Sequence, residues 1–166
     1  MGTEPSERDF REAFSRFATG ITVVTCQVDG VDHAMTANSF TSVSLDPLLV
    51  LVCIERDSRF HDAMSGTDDW SVSILAHSAA SVARWLATKG RPLQGQLDIV
   101  PHARGERTGA ALIKDALATM ECRTFASYPA GDHDVVLGEV LAVSVIDEEI
   151  EPLLYYRRRY RTLEVD

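Results

Sequence analysis

The segment Met35-Thr36-Ala37-Asn38-Ser39-Phe40 continues through Ser44-Leu45-Asp46-Pro47 into the apolar stretch 48–54, Leu-Leu-Val-Leu-Val-Cys-Ile. Small polar residues thus lead directly into one of the most apolar segments, so that backbone amides and short hydroxyls stand at the edge of a core. The run 48–55 reads as a strand buried on both faces, because it lacks the alternation of a half-solvated one. A polar strand beside a buried one suits a flat, polar-rimmed ligand better than a catalytic triad.

Outward from this segment, the pattern is mostly β. Residues 21–28 are rich in β-branched side chains, and Asp29-Gly30 is a strong hairpin signal, so 33–43 should return antiparallel to 21–28. Residues 70–75 form another strand. Residues 117–128 and 135–147 flank the turn residues Pro129 to Asp134 and predict a long hairpin, with a last strand around 153–163. Helices are fewer. Ser6 begins one in which Phe10, Phe14 and Phe17 recur at helical spacing as expected core residues, with Gly20 in the place of a C-terminal cap. Ser58 caps a short helix ending near Gly66, and Ser78 caps another that runs to Lys89 and stops at Gly90. From Arg91 to Gly109 periodicity is lost, and a loop of that length in a compact domain is usually functional. Six or seven strands without strand-helix alternation predict an antiparallel barrel with helical decoration rather than a doubly wound sheet.

Composition narrows the classes. The 166 residues fit one domain, able to bury roughly 68–70% of its unfolded surface. A net charge of −9 disfavours nucleic acid or an anionic membrane as partner, since both call for a basic face; Arg157-Arg158-Arg159 with Arg161 is the exception. No stretch approaches the ~20 apolar residues of a membrane span, and residues 1–7 are too polar to open a secretory signal, so a cytoplasmic protein is expected. Cys26, Cys53 and Cys122 are odd in number and far apart in apolar runs, which predicts buried thiols rather than disulfides. The five histidines form no close ligand pair, and no metal site is expected. Dinucleotide-binding glycine fingerprints, phosphate loops and nucleophile elbows are all absent.

Seven short motifs together carry a resemblance: Phe17-Ala18-Thr19-Gly20, Met35 to Phe40, Ser44 to Pro47, Asp57-Ser58-Arg59, Glu121-Cys122, Gly131-Asp132-His133 and Leu153-Leu154-Tyr155-Tyr156. In this order and spacing, from about Phe10 to Leu163, the chain resembles the flavin reductase family. The resemblance implies a mainly β fold with flanking helices, an antiparallel Greek-key split barrel of the FMN-binding type. It also implies an enzyme that uses NADH or NADPH to reduce FMN or FAD and supplies reduced flavin to a partner monooxygenase, commonly as a homodimer. Two other readings remain open: a flavin-binding module without catalysis, and a split-barrel oxidase acting on another small substrate.

The same resemblance implies site residues. Thr36, Ala37, Asn38 and Ser39 match the segment along the isoalloxazine ring, where amides and hydroxyls offer donors and small side chains permit close approach. Cys53, on the adjoining strand, either backs the ring through its main chain or is a plain core cysteine. Ser58 and Arg59 match the phosphate turn at a helix start. Many relatives carry Thr where this chain has Phe60, so the phosphate contact shifts to Arg59, Arg56, Lys89 or Arg91. His133 matches the position on the nicotinamide side and is the expected catalytic residue. Tyr160, like Tyr155 and Tyr156, either contacts flavin or packs an edge strand.

Overall fold

The computed structural model describes residues 4–146 and 149–163, so the expected strand end at Asp147 lies outside the described residues. Helix α1 (Glu7–Phe14) opens with a capping box: the Ser6 hydroxyl accepts from the Asp9 N–H, and the Asp9 carboxylate accepts from the Ser6 N–H. There follow β1 (Thr19–Gly20), β2 (Thr22–Val28), β3 (Val31–Ala37), β4 (Phe40–Leu45) and β5 (Leu48–Glu55). Next come α2 (Arg59–Met64), β6 (Asp69–Ile74), a 3-10 turn (His77–Ala79) and α3 (Ala80–Ala87). The chain continues through β7 (His102–Arg104), β8 (Ala111–Ile113), β9 (Ala118–Ala130), β10 (His133–Val145), β11 (Leu154–Tyr156) and β12 (Arg159–Arg161).

Seven strands form one antiparallel sheet in the order β3-β2-β6-β9-β10-β5-β4. Its closure follows from chain length. In a flat sheet, six steps of ~4.8 Å would put β3 and β4 about 29 Å apart. They are joined through Asn38 and Ser39 alone, and such a link reaches roughly 11 Å. The sheet therefore curls until its two edges meet at residues 38–39, and the barrel is split where the strands part. Asp29 and Gly30 take the left-handed φ values of 50° and 76° that the β2–β3 hairpin requires.

The core has two parts. Inside the barrel, Val24, Val52, Ile54, Trp70, Val72 and Cys122 pack together, and α2 closes one mouth with Phe60, Ala63 and Met64. Outside it, α3 presses Ala83 and Leu86 onto Ile21, Val23, Leu75 and Leu153. β2 is thus covered on both faces. Gly138 lies beneath Trp70, where an added Cβ would enter the indole ring. No helix among the described residues is long and apolar enough to cross a membrane.

Several expectations need correction. Phe10, Phe14 and Phe17 are 62%, 61% and 65% exposed, and they stack on one another instead of entering the core. Helical spacing marks an apolar face but not what covers it. Helix α1 ends with Ser15 as its cap, and Gly20 belongs to β1. The expected strand 33–43 is broken at Asn38-Ser39, where the sheet edge turns. β5 buries Val50, Val52 and Ile54 but leaves Leu51 and Cys53 half-buried, so it is not sealed on both faces and only Cys26 and Cys122 are fully buried thiols. Ser78 lies within the 3-10 turn and caps nothing; α3 begins two residues later without a side-chain cap. The loop 91–109 contains β7. The last strand is a hairpin, β11–β12, with Arg157 and Arg158 in left-handed conformation at its tip.

Candidate functional site

A cavity of about 450 Å³ opens where the barrel splits. Its walls come from β3 and the 38–39 turn, the end of β5, the start of α2, the end of α3 with the segment 88–96 after it, and His133 at the start of β10. A volume of this size is ordinary for a cofactor cleft. The structure brings Thr36, Ala37, Asn38, Ser39, Cys53, Ser58, Arg59, Lys89, Arg91 and His133 to this cavity and leaves Tyr160 out of its lining.

The hydroxyls along the 36–39 wall are already engaged. Thr36 Oγ1 donates to the Ala83 carbonyl at 2.8 Å, tying β3 to α3. Ser39 Oγ donates to the Cys53 carbonyl at 3.1 Å and accepts from the Cys53 N–H at 3.2 Å, stitching the split. These side chains hold the wall in shape instead of offering donors, and the main chain of Cys53 is taken up in the same stitch. What remains open is the backbone: among the described residues, neither the Asn38 N–H nor the Ser39 N–H meets an acceptor, and the Asn38 side chain is exposed and unengaged. Two such donors beside small side chains suit the carbonyl and ring-nitrogen acceptors of a flat heterocycle.

At the far end, Ser58 Oγ accepts from the His61 N–H at 3.1 Å, capping α2. The N–H groups of Arg59 and Phe60 find no acceptor among the described residues, as expected for the first turn of a helix. Phe60 itself points into the core, so its side chain supplies nothing to an anion. Of the cations nearby, Arg56 pairs with Asp134 at 3.0 Å, and Lys89 is 91% exposed, 3.7 Å from Glu55. Arg91 is engaged most heavily: its guanidinium donates to the carbonyls of Leu86 at 2.5 Å, Thr88 at 2.6 Å and Ala34 at 2.8 Å, with Trp85 at 3.3 Å. It closes the end of α3, the place expected of Gly90, while its Nε is buried without a hydrogen-bond partner among the described residues. Arg59 donates one nitrogen to the Arg91 carbonyl at 2.8 Å and, like Arg56 and Lys89, keeps further donors to spare.

His133 Nδ1–H donates to Asp132 at 2.7 Å, which leaves Nε2 as an acceptor. That hydrogen bond holds the Asp132 carboxyl below its usual range. Tyr160 packs against Tyr155, with the Arg84 guanidinium 5.2 Å above its ring; burial raises its phenol pKa. Several cavity residues had no sequence signal. His33 lies on β3 before Thr36, and Leu93 and Gln96 reach the cavity because the loop after α3 folds back, Gln96 donating to the Asp32 and Leu93 carbonyls. Burial, with a smaller effect of Arg59, lowers the His33 pKa against the opposing pull of Asp32 and favours the neutral ring.

A curled sheet with open amides at its split and a capped helix start beyond them defines a binding barrel for a flat, anion-bearing cofactor. Comparison with known proteins carries this further. Residues 14–164 match the flavin reductase like domain. An NADH-dependent FAD reductase of Streptomyces globisporus is 39% identical over 166 residues, covering 98% of this chain and 90% of that protein. The reductase component of 4-hydroxyphenylacetate 3-monooxygenase from Thermus thermophilus is 36% identical over 154 residues, covering 93% and 95%. The crystal structure of the flavin reductase component of a bacterial two-component tryptophan halogenase superposes with a TM-score of 0.90 at 43% identity, covering 97% of this chain and 100% of that one. The chain belongs to the flavin reductase family, and its fold is that family's split barrel.

Proposed function

We propose that this chain is an NADH-dependent flavin reductase whose reduced FMN or FAD serves a partner monooxygenase. The observation that carries this is the pair of unengaged amides at Asn38 and Ser39, set in a cavity that also presents Ser58, Arg59 and His133. The flavin would supply the redox chemistry, accepting a hydride from NADH. The protein binds and orients. Residues 36–39 bear on the ring with Cys53 behind them, Ser58 and Arg59 hold the phosphate end, and Lys89 flanks it. His133 Nε2 is placed to accept from the nicotinamide carboxamide.

We assign residues 1–166 to one working domain, in the cytoplasm, and the working form to a homodimer. Leu45 and Leu48 pair at one end of β4–β5, and Val143 and Val145 extend β10 past the same end; all four are exposed, as are the phenylalanines of α1. An apolar surface of this extent favours coverage by a second copy. The test of the activity is to follow nicotinamide absorbance with NADH and each of FMN, FAD and riboflavin. Flavin-dependent oxidation is expected. Flavin binding without oxidation by any pair would leave a binding module and overturn the reductase reading.

A further inference from the structure

Neighbouring residues of a strand face opposite sides. His133 accordingly lines the large cavity, whereas Asp134 faces a second one of about 210 Å³, shared with His61, Asp68, Met64 and Ser127. There the Asp134 carboxylate meets two groups from the segment that walls the large cavity: Oδ2 accepts from His61 Nε2–H at 2.8 Å, and Oδ1 forms an ion pair with Arg56 Nε at 3.0 Å without a hydrogen bond. A third link is main-chain, from the Arg56 N–H to the Asp132 carbonyl at 3.0 Å. The side chain of Asp134 is 16% exposed, and the hydrogen bond from His61, assisted by the charge of Arg56, holds its carboxyl below the usual range against the effect of burial. It is therefore ionised at neutral pH. Asp68 across the small cavity and Asp132 and His133 beside it are the other titratable groups nearby.

Asp134 does not line the large cavity. Yet its partners lie on either side of Asp57, Ser58 and Arg59, and its own chain neighbour is His133. Resting on the reductase reading for what the cavity binds, we propose that Asp134 is a positioning residue that clamps the 56–61 wall to the strand bearing His133. It would fix the distance between the phosphate end of the site and the nicotinamide side. Without the clamp, the β5–β10 ladder that ends at Glu55 and His133 and the main-chain bond from Arg56 would still join the strands, but the side-chain tie to His61 at the far end of the wall would be lost.

The test uses the full chain and two readouts. The first is flavin affinity, from quenching of FAD fluorescence on titration with protein. The second is the cost of His133→Ala in kcat/KM for NADH, measured in the wild-type and Asp134→Ala backgrounds. Asp134→Ala should weaken FAD binding on the order of tenfold. The His133→Ala penalty should fall from about tenfold to less than about twofold, because an imidazole already displaced has little left to lose. General loss of stability would not erase that penalty. Asp134→Asn keeps the volume and one acceptor and should shift both readouts the same way by a smaller factor, should the alanine variant fold poorly. Unchanged FAD affinity, or an equal His133→Ala penalty in both backgrounds, would overturn the clamp. A wild-type protein that oxidises no NADH would instead strike the reductase reading, and the FAD titration would still decide the clamp.

Discussion

Replacing Arg91 with alanine separates a structural cation from a ligand-binding one. Its guanidinium holds three carbonyls at 2.5–2.8 Å, two at the end of α3 and one, from Ala34, on β3. Hydrogen bonds to charged groups contribute about 1.5–3 kcal/mol each, and a cation at a helix C-terminus typically ~0.3–1 kcal/mol. These do not add, because water reaches the half-buried site and re-solvates the freed carbonyls. A loss of about 3 kcal/mol is the reasonable total, and for a chain of this size it lowers Tm by roughly 6–12 °C. Burial, with the nearby charge of Arg59, already lowers the Arg91 pKa, so the ion is held by its acceptors and not by solvent. The assay is thermal unfolding by circular dichroism beside FMN and FAD titrations. Arg91→Lys should recover little, since an ammonium cannot span three carbonyls on two elements. An unchanged Tm with flavin affinity lowered tenfold would refute this reasoning and return Arg91 to the phosphate end.

His133→Ala should reduce NADH-dependent kcat/KM on the order of tenfold, or ~1.4 kcal/mol, with flavin affinity nearly unchanged; equal turnover at subsaturating NADH would remove the imidazole from the site. Burial, aided by Asp32 and Glu121 respectively, pushes the thiols of Cys26 and Cys122 up to about 12. At pH 8 both should resist iodoacetamide, while the half-buried Cys53 at the cavity wall reacts and is protected by bound flavin, as peptide mapping would show. On the proposed homodimer, Phe14→Asp should weaken self-association in sedimentation velocity, because the apolar stripe of α1 would gain a charge, and an unchanged sedimentation coefficient would remove α1 from the interface. Asp32 is raised by burial, but the hydrogen bond and charge of Arg104 outweigh this and hold it below its usual pKa. A carboxyl depressed in the folded state stabilises above the unfolded value of ~3.9 and loses that contribution as pH falls through its folded pKa. Tm should therefore be level near neutrality and drop below about pH 4, and Asp32→Asn should flatten part of that drop.

The strands were legible because β-branched runs and Asp29-Gly30 are local signals, and local choices here agree with the sheet. The break at Asn38-Ser39 was not, because Thr, Ser and Phe on either side of it extend a strand pattern, and only closure of the barrel imposes the turn. The phenylalanines of α1 show the limit of periodicity, which identifies an apolar face without naming its cover. The motifs located six of the cavity residues alongside His133, and Cys53, Lys89 and Arg91 followed from the strand and loop next to them, since the fold brings these segments to the split. It did not reveal which polar atoms were already spent. Thr36, Ser39 and Arg91 bond to carbonyls 14 to 57 positions away in sequence, and those partners are set by tertiary structure alone. Leu93 and Gln96 escaped notice for the same reason, since the path of the loop after α3 has no period to read.

The central claim is that this cavity joins NADH to a flavin. Anaerobic mixing of stoichiometric NADH with protein and FAD, followed by flavin absorbance in a stopped-flow instrument, tests it most directly. The account predicts bleaching of one flavin per NADH, at a rate that falls about tenfold in His133→Ala. An oxidised flavin spectrum that persists over a protein shown to bind both ligands would contradict it.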